Sequence, residues 1–108
     1  MTIKRLKFLE PLPELVLRGL KDVTWRVNDD KNIAVGDVLS LCRCDGKEFA
    51  KADVVRVKET TFGRLSEEDK KGHEEFSCDA EMYETYSNYY GLRVTPETGV
   101  KVIKFKLV

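Results

Sequence analysis

Three side chains that could take part in acid–base or nucleophilic chemistry lie close together along the chain, at Lys21, Thr24 and Arg26. Gly19 precedes them and allows a sharp turn from a helix into a strand. Lys21 falls at that turn, and Thr24 and Arg26 share one face of the strand that follows. Such a cluster can hold a phosphate or a carbonyl, and a lysine with a burial-lowered pKa can activate a hydroxyl. The alternative is an edge strand whose polar residues face water.

The strand that carries this cluster alternates between apolar and polar residues. Its apolar face holds Val23, Trp25 and Val27, and its polar face holds Asp22, Thr24 and Arg26. This alternation predicts that one face packs on a core and the other opens toward a cleft.

The remaining elements are predicted from alternation, turn residues and helix caps. Strands are expected over residues 3–9, 22–27, 38–44, 48–58 and 100–107. Asp45-Gly46 indicates a hairpin turn, and a shift of the apolar phase at Val54–Val55 indicates a bulge. Helices are expected over about 11–17, after a Ser66 cap, and over 80–90, with Asp79 as cap and Gly91 as terminus.

This order of elements indicates one α+β domain over residues 1–108. A small mixed, mostly antiparallel β-barrel with short helices at its rim would close the sheet without a long exposed edge.

Charge and composition exclude several classes of protein. Lys and Arg total 19 and Asp and Glu total 19, so the net charge of zero rules out bulk attraction to nucleic acid. Basic residues concentrate at the two chain ends and acidic ones over 66–85, so local potential would steer any anion. No run approaches the roughly 18 apolar residues of a membrane span. The N-terminus has no secretory signal, so we expect a cytoplasmic protein. We also expect it to be a monomer that does not bind membranes.

The cysteines and the histidine argue against a metal site. Three cysteines lack CxxC spacing and the chain has one histidine, so we expect free thiols, no metal and no cofactor.

Three other features admit two interpretations each. A mostly aromatic stripe at helical spacing comprises Met82, Tyr83, Tyr86, Tyr89 and Tyr90. This stripe can either pack on the sheet or stack nucleic-acid bases, and Tyr90 is the best placed of its residues to reach a ligand. His73 is either a second acid–base group or, as we favour, a pH-sensitive surface residue. Arg64 either contacts phosphate or faces solvent.

The ordered set of short motifs resembles the ASCH domain family, within the PUA-like superfamily. The matching segments are Gly19-x-Lys21-x-x-Thr24-x-Arg26, Val35-Gly36-Asp37, Leu65–Asp69, Glu74-x-Phe76, Tyr89-Tyr90-Gly91 and the last strand with Val102, Ile103 and Phe105. The resemblance covers essentially the whole chain, and it implies a PUA-like barrel with a helix-lined cleft and RNA-related roles.

One small bacterial branch of this family removes the acetyl group from N4-acetylcytidine. The lysine, threonine and glutamate of that branch fall on Lys21, Thr24 and Glu74, although Glu75 is adjacent and could replace Glu74. Asp22 departs from the pattern, because that branch usually has a small hydroxyl residue after the lysine. An acid beside Lys21 would raise the lysine pKa if the two interact, which does not suit a general base. Trp25 stands where an aliphatic residue is usual.

Two functions therefore remain open from the sequence. The first is a module that binds RNA or a modified nucleoside in its cleft, with Arg26, Tyr90 and Arg64 as ligand contacts. The alternative is a metal-independent amidohydrolase, with Thr24 as nucleophile, Lys21 as base and Glu74 to orient the lysine or shuttle a proton. A protein-interaction domain with a vestigial cleft is a third interpretation.

Overall fold

The computed structural model describes residues 3–108, which form five strands and three α-helices. The strands are β1 (Ile3–Phe8), β2 (Val23–Arg26), β3 (Val38–Arg43), β4 (Glu48–Thr61) and β5 (Gly99–Leu107). The helices are α1 (Leu12–Leu17), α2 (Glu67–Lys70) and α3 (Asp79–Tyr90).

The strands form one mixed sheet in the order β1-β3-β4-β5-β2. β1 and β3 are parallel, and the other three pairings are antiparallel. The predicted α+β class, with a mostly antiparallel mixed sheet and short helices, is confirmed. The sheet curls into a half-barrel with β1 and β2 at its two edges. Over residues 3–108 no strand pairing joins these edges, so a seam stays open between them.

β5 separates two hydrophobic clusters, because alternate side chains of a strand point to opposite faces. Ile103 and Phe105 pack with β1, β3 and α1. Val100 and Val102 pack on the other side with Trp25 and α3. Each cluster therefore meets one edge strand of the seam.

The predicted bulge lies where the apolar phase of β4 shifts. The pairing of β4 with β5 slips between Val54 and Arg56, and Val55 is left exposed. Val54 and Val57 consequently pack on the same cluster although they are three positions apart, an odd spacing that would put them on opposite faces of a regular strand.

Of the two predicted helix caps, one is confirmed and one is wrong. Ser66 and Asp69 form a reciprocal capping box at α2. At α3 the cap residue is Cys78, with no side-chain cap bond, and Asp79 is the first helical residue. Asp79 still favours the helix, because its carboxylate lies at the positive end of the helix dipole.

The structure bears on two sequence expectations, the state of the cysteines and the absence of a membrane span. Cys42, Cys44 and Cys78 are free thiols. Between residues 3 and 108, no helix is long and apolar enough to cross a membrane.

Asp69 joins α2 to the sheet. Its side chain is fully buried and accepts hydrogen bonds from the Ser66 amide at 3.0 Å and Lys58 Nζ at 2.9 Å. Its backbone carbonyl accepts a hydrogen bond from Trp25 Nε1 at 3.1 Å. Burial by itself would raise the pKa of Asp69, but the Ser66 and Lys58 bonds outweigh it and hold the pKa below its ordinary value.

We expect Asp69→Asn to lower the free energy of unfolding by about 2 kcal/mol at neutral pH, because charge-assisted hydrogen bonds are lost. The carboxylate stabilises the fold above its ordinary pKa, and this contribution fades as pH falls through the lowered folded value. Chemical denaturation at pH 7 and pH 3 should therefore show a smaller difference between wild type and variant at pH 3. Glu68→Gln is the matched control, since this neighbouring acid is exposed and should change stability by less than about 0.5 kcal/mol. An Asp69→Asn protein as stable as the control would show that the buried carboxylate does not hold α2 on the sheet.

Candidate functional site

A cavity of about 250 Å³ opens at the seam between β1 and β2. Four functional side chains line it, namely Lys21, Thr24, Arg26 and Glu74. The turn before β2 supplies Lys21, β2 supplies Thr24 and Arg26, and the loop between α2 and α3 supplies Glu74.

Lys21 is buried in this cavity wall with only 3% of its surface exposed. Its Nζ donates hydrogen bonds to Glu74 Oε1 at 2.5 Å and to the Val23 carbonyl at 2.7 Å. Burial lowers the pKa of Lys21 from its ordinary value, whereas Glu74 opposes this shift. Asp22 also raises the Lys21 pKa, but it is the weakest of these influences, so its presence does not reverse the effect of burial.

Glu74, rather than Glu75, is the carboxylate that meets Lys21. Burial would raise the pKa of Glu74, but the charge and hydrogen bond of Lys21, together with His73 and a backbone hydrogen bond, outweigh it and hold this pKa below the ordinary range. Glu75 lines a different groove. The result is a largely buried ion pair at the edge of an open cavity.

Thr24 and Arg26 form the part of the polar wall that β2 supplies. Thr24 is 4% exposed, and its Oγ1 accepts a hydrogen bond from Arg26 Nε at 3.2 Å. Arg26 Nη2 donates to the Lys7 carbonyl at 3.3 Å, and its guanidinium lies 5.1 Å from the centre of the Phe8 ring. Arg26 therefore bridges the seam from β2 to β1 and holds a donor on the threonine hydroxyl.

His73 is buried, which contradicts the surface position expected from the sequence. Its ring stacks on Trp25 with centroids 3.7 Å apart. Nδ1 lies 2.9 Å from the Glu74 carbonyl and 3.2 Å from Glu74 Oε1, and Nε2 lies 2.9 Å from the Tyr86 hydroxyl. Burial and the nearby charge of Lys21 lower the pKa of His73 to about 4, so the ring is neutral at pH 7.

Gly72 allows the loop that carries His73 and Glu74 to dock on the start of β2. Its carbonyl accepts hydrogen bonds from the Asp22 amide at 2.9 Å and the Val23 amide at 3.3 Å. Its φ is +83°, and a Cβ at this position would lie 1.9 Å from Asp22 Oδ1. The positive φ disfavours any residue with a side chain, and a Cβ here would also have to displace the Asp22 carboxylate.

Trp25 separates the site from a second groove of about 640 Å³ that also borders Glu74. Charged side chains of both signs dominate that groove, among them Glu67, Lys70 and Glu75. Lys21 and Thr24 do not line this larger groove, so the seam cavity is the candidate site although it is smaller.

The aromatic stripe of α3 has a double role. Tyr86 is buried in the second hydrophobic cluster, as the packing interpretation predicts. Tyr86, Tyr89 and Tyr90 also line the seam cavity, and Tyr89 remains 45% exposed at its edge. Tyr90 therefore lies where a ligand could contact it.

Arg64 is not brought to this cavity. It lies in the 3-10 turn Phe62–Arg64 and lines a separate groove with Pro96 and Glu97. The long β4 strand carries this turn away from the seam.

Sequence reasoning missed Gly72, and it did not anticipate that His73 and Tyr86 would be hydrogen-bonded to each other beside Glu74. The available signal was a glycine directly after a short helix and directly before a His-Glu pair. A glycine in that place indicates a close backbone approach, which would have turned attention to its neighbours. For metal binding, residues 3–108 contain no group of three or more His, Cys, Asp or Glu side chains placed to hold an ion.

Comparison with known proteins gives the fold. No protein-family model matches the chain, and no curated protein does. An ASCH domain from Lactobacillus crispatus JV V101 matches with a TM-score of 0.75 and 17% identity, over 98% of this chain and 79% of that one. A Pyrococcus furiosus protein matches with a TM-score of 0.68 and 24% identity, over 100% and 98% of the two chains. A protein from Enterococcus faecalis V583 matches with a TM-score of 0.73 and 17% identity, over 100% and 80%.

The first of these structures confirms at the level of the fold the resemblance to ASCH domains that the sequence indicates. Identities this low carry the fold and leave activity to be argued from the cavity itself.

We expect Gly72→Ala to destabilise the protein more than Gly91→Ala. Both glycines have positive φ, at +83° and +65°, but a Cβ meets nothing within 4 Å at Gly91. Gly91→Ala should therefore lower the free energy of unfolding only by the cost of placing a residue with a Cβ at positive φ, about 1–2 kcal/mol. Thermal and chemical unfolding should show a larger loss of stability for Gly72→Ala. Adding Asp22→Ala to that variant should restore part of the loss. Equal losses for the two alanine variants would show that the close approach carries no energy.

Stability should decline as pH falls from 6.5 toward 5, because of His73. The unfolded chain binds a proton at the ordinary pKa of 6.5, whereas the folded ring resists protonation down to about 4. The free energy of unfolding therefore decreases with falling pH, by up to about 1.4 kcal/mol per unit. Denaturation curves across this range should show that slope for wild type and a flatter one for His73→Asn. As His73 is the single histidine, a ring NMR titration with a midpoint near 6.5 would refute the shift.

Proposed function

We propose that this protein, which has the ASCH-domain fold, is a metal-independent amidohydrolase acting on the acyl amide of a pyrimidine nucleoside such as N4-acetylcytidine. One observation carries the proposal. A buried lysine, Lys21, is paired with Glu74 at 2.5 Å in the wall of an open cavity that also holds Thr24. The sequence resemblance to the deacetylating branch of ASCH proteins supports the choice of substrate.

The environment of Lys21 suits proton transfer better than capture of a phosphate. A phosphate site needs a cation whose charge is free for the ligand, but Glu74 already compensates Lys21. Burial lowers the Lys21 pKa, which raises the fraction of neutral amine able to accept a proton. The net charge of zero adds no general attraction for a polyanion.

The cavity suits a small ligand with a flat apolar part. Its volume of about 250 Å³ is just below the range of about 300–1,000 Å³ that small-molecule pockets occupy. Phe8, Leu12 and Tyr90 supply apolar and aromatic wall next to the polar groups. A single base fits this mixture, with its ring against the apolar wall and its amide toward Thr24.

The chemistry follows from the contacts of the four polar residues. Thr24 Oγ1 attacks the acyl carbon while its proton passes to neutral Lys21 Nζ. Arg26 already donates to Oγ1, so it stabilises the negative charge that this oxygen gains as its proton leaves, before that charge moves to the acyl oxygen. The proton on Lys21 then passes to the leaving amine nitrogen as the C–N bond breaks. Water, deprotonated by Lys21, hydrolyses the resulting threonine ester, and Glu74 holds the lysine in place throughout.

A binding module is the second candidate, and one observation favours it. Tyr89 and Leu9 line the cavity and are 45% and 47% exposed. Exposed aromatic surface at a cavity edge can stack a neighbouring base of an RNA strand. In that case the cavity would hold one unpaired base and no bond would break.

Lys21→Arg separates these two functions. Arginine keeps the positive charge but cannot release its proton at neutral pH, so we expect hydrolysis of N4-acetylcytidine to fall at least about 100-fold. Lys21→Ala should abolish turnover. Cytidine release is measured by chromatography, and nucleoside affinity by calorimetry, for wild type and both variants.

Lys47→Arg is the matched control, because this lysine is exposed and does not line the cavity. Thermal unfolding of each variant tests whether the fold is intact. A Lys21→Arg protein that hydrolyses substrate at the wild-type rate would exclude lysine as the base. A wild type that binds nucleosides but hydrolyses none of an acylated series would favour the binding module.

A further inference from the structure

The buried ring of His73 contacts two elements of the site, although the proposed hydrolysis transfers no proton through it. His73 is 6% exposed, and its ring lies nearly parallel to Trp25, with an interplanar angle of 14°. Both ring nitrogens have polar partners within 3.2 Å. A stacked ring with both nitrogens engaged has a fixed orientation.

The partners of the two nitrogens determine which one carries the proton. Nδ1 faces the carbonyl and the ionised carboxylate of Glu74, and both of these groups can only accept hydrogen bonds. Nδ1 must therefore carry the proton and donate it. In a neutral ring Nε2 is then the acceptor, so the Tyr86 hydroxyl donates to it. Hydrogen bonds are therefore donated from Tyr86 to His73 and from His73 to Glu74. Lys21 donates to Glu74 Oε1, the same oxygen that lies 3.2 Å from His73 Nδ1.

We propose that His73 is a positioning residue, which in its neutral Nδ1–H form fixes Glu74 against Lys21 and connects this pair to α3 through Tyr86. Its importance for catalysis rests on the proposed function, whereas its tautomer and its hold on Glu74 do not.

Glu74 needs such a restraint because it belongs to a loop. Its side chain is 19% exposed, so water competes for its oxygens. The Nδ1–H donates a hydrogen bond to the Glu74 carbonyl, which restricts the loop, and it also lies 3.2 Å from Glu74 Oε1, where its positive end favours the rotamer that faces Lys21. If the carboxylate moved into solvent, Lys21 would stay buried without its partner.

The charges around the ring favour its neutral form. Lys21 and Arg26 approach from the β2 segment, Tyr86 from α3, and Glu74 from the same loop as His73. The two cations disfavour a third positive charge, and they outweigh the carboxylate once burial is included. His73 therefore acts as a neutral donor over the working pH range.

The tautomer can be measured without substrate. The chain has a single histidine, so ¹⁵N-histidine labelling reports only this ring. We expect Nδ1 protonated and Nε2 unprotonated at pH 7, the reverse of the tautomer that neutral histidine prefers in water. A ring protonated at Nε2, or protonated at both nitrogens at pH 7, would overturn the proposal whether or not the protein is an enzyme.

Two isosteric variants test the hold on Glu74. His73→Asn places an amide N–H where Nδ1 was, and His73→Gln places its amide near Nε2 and leaves Nδ1 without a replacement. Because Glu74 raises the Lys21 pKa, we expect a lower Lys21 pKa in His73→Gln than in wild type, and a value near wild type in His73→Asn. The measurement is an NMR titration of ¹³C-labelled lysine, with Lys21→Arg to assign the signal.

Turnover gives an independent comparison of the same variants. If hydrolysis of N4-acetylcytidine is observed, kcat should fall about 100-fold in His73→Gln with little change in KM, and His73→Asn should recover most of the loss. Thermal unfolding controls for simple loss of packing against Trp25. Equal Lys21 pKa values in wild type and His73→Gln would refute the proposal, as would equal kcat values. Absent turnover in wild type would refute the amidohydrolase function alone, since the tautomer and the lysine titration still decide the role of His73.

Discussion

The site depends on one backbone contact, the docking of the loop after α2 on the start of β2 at Gly72. Lys21 and Glu74 lie 53 residues apart in the chain, and this contact joins the backbones that carry them. The Gly72 carbonyl accepts hydrogen bonds from the Asp22 and Val23 amides, and a Cβ at Gly72 would have to displace the Asp22 carboxylate. Because β2 is an edge strand, this loop supplies the partner that a further strand would otherwise provide.

The half-barrel remains open at the seam between β1 and β2. A sheet that closed fully would pair β1 with β2 and fill the seam with backbone hydrogen bonds. Here the Arg26 side chain crosses the seam to the Lys7 carbonyl, and the space around it becomes the cavity. The open edge therefore provides both the volume for a ligand and the polar wall that faces it. The cost of burying Lys21 is offset by Glu74 and by the Val23 carbonyl, which accept hydrogen bonds from its ammonium group.

The wrong sequence expectations share a cause. One histidine among acidic residues has no apolar pattern around it, which predicts a surface position for His73, yet Trp25 covers its ring. As a ligand contact Arg64 would have to line the seam cavity, but it lines a separate groove at the far end of β4. Residue type alone favours Asp79 as a cap, whereas the backbone of Cys78 takes that position. In each case the expectation rests on local preference, and the surrounding structure decided the outcome.

The sequence by itself determined the alternation of β2, and hence that Thr24 and Arg26 share a face opposite Trp25, because strand geometry fixes this with a period of two. It also determined the α+β class and the bulge at Val55, which follow from local patterns. Only the tertiary structure decided that Glu74 rather than Glu75 meets Lys21. Burial of that lysine, which sets its pKa, comes from elements far apart in the chain, and residue spacing contains no information about such distances.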